Sequence, residues 1–301
     1  MEYKDLPDLV ELATLKAVVE LGGVAPAARE MCVGQPAVTK RLRALDARYG
    51  VPLMHRDGRR LTLSRAGERV YAFARLVLDH QALLVRDLEY LREGRNSLRL
   101  AASQTIGEHL LPNLLLRFAE AHPEYRLESS VGYSRDLQTQ LATGLVGLAL
   151  LEHEPDHPDI LVQKWLEDEL LLVCGRSHPL AGIDEPVTIT DAARLRYVLR
   201  EPKASVRVTL EKALGDINAP PLNVAMEVGA TQTIVEMLEH GKHVSFMPRF
   251  VVAESLVDGE LVHIRIAGLR ILRTLWIART RSNLQNPVAE AFVELLRETS
   301  L

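Results

Sequence analysis

Residues 27–50 read AAREMCVGQPAVTKRLRALDARYG. An alanine-rich half is followed by a break at Val33-Gly34 and then by a half with basic residues on successive turns. Gln35 to Tyr49 reads as a helix with Pro36 in its first turn, where a missing N–H costs nothing. Val38, Leu42 and Leu45 recur on one face, while Thr39, Lys40, Arg43 and Arg48 fall mostly on others. Upstream, Asp8 precedes LVELATLKAVVEL (9–21), with apolar residues at 9, 12, 15, 18 and 19. Asp8 is a natural N-cap, and Gly22-Gly23 ends that helix. Residues 24–32 make a short second helix, whose Ala25, Ala27 and Ala28 permit close packing. Two helices joined by a tight turn, the second opening GQPAVTKRL, form a helix-turn-helix pattern.

Downstream, VPLMHRDGRRLTLS (51–64) carries Asp57-Gly58, a hairpin turn signal, among Arg56, Arg59 and Arg60. It reads as a wing lying over phosphates. The charge agrees. The chain of 301 residues has net charge −4, yet residues 29–69 hold 10 Lys and Arg against 4 Asp and Glu. A basic patch on an acidic protein calls for an anionic partner at one place. Gln35, Pro36, Thr39, Lys40 and Arg43 are the candidate groove contacts. Of these, Gln35 and Thr39 suit base edges, and Lys40 and Arg43 a guanine edge or a phosphate. Arg56, Arg59 and Arg60 suit phosphates.

From Ser64 to Gly94 one helical pattern runs without proline. Val70, Val77, Leu84 and Leu91 repeat every seven residues, beside a row of Tyr71, Leu78 and Val85. The repeat predicts a dimerisation stripe, with a partner helix covering it. From Leu98 the texture changes to strands near 98–103, 125–133, 145–152, 169–175, 196–201, 222–228, 243–248 and 261–266. Helices fall at 107–121, 134–143, 206–214, 231–240 and 286–298. The alternation predicts an α/β arrangement with mainly parallel sheets.

The ordered combination resembles the LysR-type transcriptional regulators. Leu53, Arg56, Arg59, Leu63 and Gly67 match that family's wing and linker-helix start. The stretch 98–127, including Pro112, Phe118 and Pro123, matches the first strand-helix-strand of its effector domain. EDELLLVCGRSHPLA (167–181) and VEMLEHGKHVSFMP (235–248) match later landmarks. The resemblance implies an N-terminal winged helix-turn-helix (1–64), a linker dimerisation helix (65–94) and a periplasmic-binding-protein-like effector domain (95–301). That domain would have two α/β lobes, lobe I from about 95–165 with 268–301 and lobe II from about 166–267. It further implies homodimers or homotetramers on a partially palindromic double-stranded promoter, and a small-molecule effector. Gly34 replaces the serine that often precedes QPA, Met54 a usual aromatic, and Val146-Gly147 a frequent acidic position.

Ser103, Gln104 and Thr105 stand where a strand yields to a helix, a setting that suits either an anion or simple capping. The resemblance sets them at the interlobe cleft, facing Arg200 and Glu201 of the second lobe. Arg200 suits either a ligand carboxylate or a structural ion pair. Thr231, with Gln232, opens a helix and either caps it or touches ligand. Tyr133 and Ser134 follow another strand end. Together these residues predict a small anionic effector.

EHEPDHPD (152–159) reads as an exposed loop or, less simply, a metal site. Cys32 and Cys174 match no CxxC spacing and read as buried or half-buried thiols. No nucleophile-elbow, phosphate-loop, dinucleotide or zincin motif points to an enzyme, and no cofactor or metal is expected. The acidic start MEYKDLPDLVEL lacks a signal-peptide pattern, and no run is long enough to cross a membrane, so a cytoplasmic protein is expected. An architectural DNA binder and a small-molecule receptor without switching are the alternatives.

Overall fold

The computed structural model describes residues 6–57, 60–92, 96–281 and 285–299, and the chain divides into two compact units, Met1–Glu93 and Gly94–Leu301. Gly58 and Arg59 lie outside the described residues, as do the side chains of Arg56, Arg60 and Leu91.

The first unit opens with α1 (Leu9–Glu20), α2 (Val24–Glu30) and α3 (Gln35–Tyr49). Asp8 caps α1 through Val10 N, and Glu11 returns a bond to the Asp8 N–H, closing a reciprocal capping box. Gly50, at φ 69°, ends α3 in the left-handed region. Two short antiparallel strands, β1 (Met54–Asp57) and β2 (Arg60–Leu63), pair Met54 with Leu63 and Asp57 with Arg60. The long helix α4 (Arg65–Arg92) follows. Its start is pinned by Ser64, whose Oγ donates to Pro52 O at 2.7 Å and accepts from Gly67 N at 2.9 Å. A Cβ on Gly67 would meet Leu53 O at 1.9 Å, so the close approach requires glycine.

The seven-residue stripe does not stand apart from its own chain. Val70 and Val77, with Tyr71 and Leu78, pack against Leu12, Leu15, Leu45 and Leu53. The first half of α4 thus completes the core of the helix-turn-helix unit. Apolar side chains left exposed on α4 are Phe73, Leu76, Leu84, Val85 and Leu88.

In the second unit the elements alternate. They begin β3 (Ser97–Ser103), α5 (Gln104–His109), α6 (Leu111–Ala121), β4 (Arg126–Gly132), α7 (Ser134–Ala142), β5 (Leu148–Leu151) and β6 (Ile160–Gly175). Next come α8 (Ile189–Ala193), β7 (Arg196–Arg200), α9 (Ser205–Asp216), β8 (Asn223–Val228), α10 (Thr231–His240) and β9 (Val244–Pro248). The series ends with α11 (Arg249–Val257), β10 (Leu261–His263), β11 (Ile271–Thr280) and α12 (Pro287–Arg297). The helix expected over 107–121 is two helices, because Pro112 sits in the first turn of α6 and restricts the residue before it.

Among the described residues the strands order as β4-β3-β5-β11-β6-β9-β7-β8, with β10 pairing β6. The sheet is mixed rather than mainly parallel. β3 pairs β4 and β5 in parallel, and β7 pairs β8 and β9 likewise. Antiparallel pairs join β11 to β5 and β6, and β6 to β9 and β10. The long strands β6 and β11 are the reason: both run from one lobe into the other. Their register shifts between Leu275 and Trp276, which pair with Leu166 and Lys164, so Trp165 is the extra residue. Its indole N–H donates to Leu296 O at 2.9 Å.

Four apolar clusters hold this unit. Leu100, Phe118, Leu150, Ile277 and Phe292 lie in one, and Ala101, Leu137, Leu141 and Ala149 in a second, on the lobe containing β3, β4 and β5. Leu172, Tyr197, Leu210 and Phe246, and on the other face Val198, Ile234, Leu238 and Met247, fill the lobe containing β7, β8 and β9. The C-terminal α12 buries Val288, Phe292, Val293 and Leu296 in the first lobe, although lobe II separates them in sequence.

Candidate DNA-reading surface and interlobe site

Inward Val38 and Leu45 turn the opposite face of α3 outward. Gln35, Pro36, Thr39, Lys40 and Arg43 line one open depression on that face. All are exposed except Thr39, which is half-buried. The β1–β2 hairpin follows in the same unit; Arg59 and the side chains of Arg56 and Arg60 lie outside the described residues. The surface offers a carboxamide, a hydroxyl and two cations, the set that reads guanine or adenine edges and grips phosphates.

The second site is built by residues meeting from both lobes. Arg200, at the end of β7, is 3% exposed. Its Nε and Nη2 donate to the two carboxylate oxygens of Glu201 at 2.9 and 3.0 Å. Nη1 donates to Thr231 Oγ1 at 2.6 Å, and Nη2 to Gln104 Oε1 at 2.9 Å across the cleft. Gln104 Nε2 reaches Gly229 O at 3.3 Å. Tyr133 donates its hydroxyl to Glu201 Oε1 at 2.8 Å, and Ser134 Oγ lies 2.9 Å from Ser205 Oγ. Burial works to raise the Glu201 carboxyl, but the Arg200 guanidinium and the Tyr133 hydroxyl outweigh it and hold it below its usual range. The Glu201 carboxylate in turn raises the Tyr133 phenol.

Of the eight residues singled out in sequence for the effector, five join this network, and Ser134 makes a separate contact with Ser205. Ser103 and Thr105 do not. Ser103 is buried and donates to Glu152 Oε1 at 2.9 Å, with no capping bond, and Thr105 is also buried. Helix α5 has only 6 residues, too short for a strong dipole. Arg200 does make the structural ion pair, with its own neighbour Glu201.

Beside this network lies a charged cluster absent from the sequence reading. Arg273 on β11 donates from Nε to Asp168 Oδ2 and from Nη1 to Glu152 Oε2, both at 2.7 Å. Asp168 and Arg273 are cross-strand partners in register. The guanidinium also lies 5.7 Å from the Phe250 ring centroid. Burial raises the Asp168 carboxyl against the opposing pull of Arg273. Glu152 is therefore buried, so EHEPDHPD is not wholly an exposed loop, and no metal-holding group of side chains occurs among the described residues. Cys32 is exposed, contrary to expectation, because it sits in the turn between α2 and α3 at φ 52°. Cys174 is buried on β6, and burial pushes its thiol up to about 11.

A helix-turn-helix unit followed by a two-lobed α/β unit defines a DNA-binding regulator with a ligand-binding half. Comparison gives the family. Residues 9–68 match the bacterial regulatory helix-turn-helix protein, lysR family, and residues 92–300 match the LysR substrate binding domain. The chain belongs to the LysR family of transcriptional regulators. It is 31% identical over 268 residues to the HTH-type transcriptional regulator YeiE of Escherichia coli K12, covering 89% of each chain. It is 26% identical to the HTH-type transcriptional activator CmpR of Synechocystis, covering 96% of this chain and 94% of that protein. The crystal structure of full-length CbnR complexed with its target DNA matches at TM-score 0.74 and 22% identity, over 96% of this chain and 99% of that one. The CcmR regulatory domain of Synechocystis in complex with 2-PG matches at TM-score 0.61 and 20% identity, over 68% and 99%. No helix among the described residues is long and apolar enough to cross a membrane.

Proposed function

We propose that this regulator reads its promoter through Gln35, Pro36, Thr39, Lys40 and Arg43, with Arg56, Arg59 and Arg60 on phosphates. A small anionic metabolite held between the lobes controls that binding. The domain limits that fit this reading are 1–64, 65–94 and 95–301. The observation that carries it is the Arg200 network, in which a buried guanidinium is shared by side chains of both lobes. Arg200 is held by Glu201, so the effector's carboxylate or phosphate takes the place of Glu201 on the same two N–H donors. Exchange frees Glu201 from Arg200 while Tyr133 still holds it. The lobes then settle differently, and a ligand shifts that balance only by its unequal affinity for the two arrangements. The complexes of CbnR with DNA and of CcmR with 2-PG are consistent with this division of labour. The active form is a homodimer or homotetramer on a partially palindromic site, joined through the exposed side of α4. The regulator works in the cytoplasm and carries out no catalysis.

The test is a titration of the full-length chain on a promoter fragment and on random DNA at fixed salt, with and without a panel of carboxylate and phosphate metabolites. Preference for the promoter, changed by an anion in the unaltered chain and not in Arg200→Ala, supports the proposal. Equal affinity for both DNAs defeats the promoter reading, and an unchanged response in Arg200→Ala defeats the cleft reading.

A further inference from the structure

Lobe II carries a second concavity that shares no residue with the interlobe network. It encloses about 360 Å³ between β6, β9 and the segment joining β10 to β11. Buried apolar side chains, among them Leu170, Leu172, Phe246 and Ile264, form its floor. Its rim is cationic, carrying Arg249, Arg265 and Arg270.

One carboxylate organises that rim. Glu169, nearly buried, accepts Arg270 Nε and Nη2 at 3.0 and 3.1 Å and Arg249 Nη2 at 2.8 Å. Arg270 first, then Arg249, hold the Glu169 carboxyl down to about 2, so it stays ionised. Arg265 is tied to the carbonyl of Asp184. Desolvation lowers the His263 imidazole against the pull of Glu169. Three guanidiniums against one carboxylate leave two positive charges uncompensated among the lining residues. Both Arg249 and Arg270 are more than half exposed, and each keeps N–H groups that Glu169 does not use. An apolar floor with a few convergent polar groups is the ordinary form of a small-molecule site, and the volume falls in the usual range.

The geometry points to a second ligand site here, separate from the interlobe cleft, for a small organic anion with an apolar body. The acid group lies on Arg249 and Arg270, already oriented by Glu169, and the body lies over Phe246, Leu170 and Ile264. Fixed arginines cost less to order on binding than free ones. The walls are the ends of the two crossing strands, so an occupant touches the connection between the lobes without entering the cleft.

Isothermal titration of the full-length chain with 1-naphthoate tests this, with 1-naphthalenemethanol as the neutral analogue. Saturable binding of one naphthoate per chain is expected, with the alcohol roughly tenfold weaker or worse, the loss of one good charge-assisted contact. Arg270→Gln and Arg249→Gln should each weaken naphthoate about tenfold on the same ground. Ala267→Phe leaves the charges in place but fills the mouth, and should abolish binding even if an arginine variant folds poorly. Arg200→Lys, in the cleft, should leave naphthoate affinity unchanged. The site is overturned by absence of saturable binding to the unaltered chain, by equal affinity for the alcohol, by an unaffected Ala267→Phe variant, or by loss in Arg200→Lys.

Discussion

Tyr133 and Glu201 meet across the cleft, the phenol of one lobe donating to the carboxylate of the other at 2.8 Å. The same carboxylate neutralises Arg200, so one side chain both latches the lobes and occupies the cation. Glu201→Gln should therefore leave Arg200 without a counter-charge and raise affinity for an anionic effector by about tenfold, a gain near 1.4 kcal/mol. A neutral effector would gain nothing. Because Arg200 and Tyr133 hold the Glu201 carboxyl below its usual range, it stays ionised throughout pH 6–8. Affinity of the unaltered chain for a carboxylate effector should accordingly be flat across that window. Calorimetric titration at the two limits checks both points.

Lys40→Ala and Arg43→Ala probe the outward face of α3. A base contact should cost ~1–3 kcal/mol and relax sequence preference, whereas a phosphate contact should weaken all sequences alike and shallow the salt slope. Fluorescence anisotropy on promoter and random duplexes at several salt concentrations separates the two. Wild-type binding by both variants would remove α3 from the interface.

Val77 and Leu84 look equivalent in the heptad but not in the structure. Val77 packs on the helix-turn-helix core, while Leu84 is 51% exposed. Val77→Asp sets an unpaired charge at a half-buried apolar position and should destabilise the first unit by about 1–3 kcal/mol. Leu84→Asp should leave the unit folded and weaken self-association. Thermal unfolding and sedimentation, run on both variants, give opposite patterns if this holds.

Arg273→Met strands Glu152 and Asp168 in the interior, and removing one partner of a buried ion pair costs ~3–5 kcal/mol. Burial already raises Asp168. Removing the guanidinium raises it further, so the folded variant holds a proton more tightly than the unfolded chain does. Its stability should then be greatest at low pH and fall as pH rises through the folded pKa. Urea unfolding at pH 5 and pH 7 should show a larger deficit against the parent at pH 7.

The DNA-reading unit was legible because its signals are local. Asp8, Pro36 and Gly50 mark helix ends within a few residues of the turns they stabilise. Six cleft residues were legible because strand ends and helix starts carry them. Of the crossing strands, only residues 169–175 in the second half of β6 were legible, and β11 was not. In β11 an arginine occupies an inward position and breaks the apolar alternation that betrays a strand. Its partners Asp168 and Glu152, 105 and 121 residues away, explain the arginine. The stripe on α4 misled for a related reason: a heptad repeat records that a face is covered, not by what. Part of that face is covered by α1 and α3 of the same chain.

The placement of α12 has a consequence for synthesis. Lobe II is made from one continuous run of chain, whereas lobe I borrows Phe292, Val293 and Leu296 from beyond it. As the polypeptide leaves the ribosome, lobe I emerges first and yet cannot close its core until Pro287–Arg297 has been translated. Its sheet waits with apolar side chains uncovered while lobe II matures. That interval is when this half of the molecule most needs a chaperone.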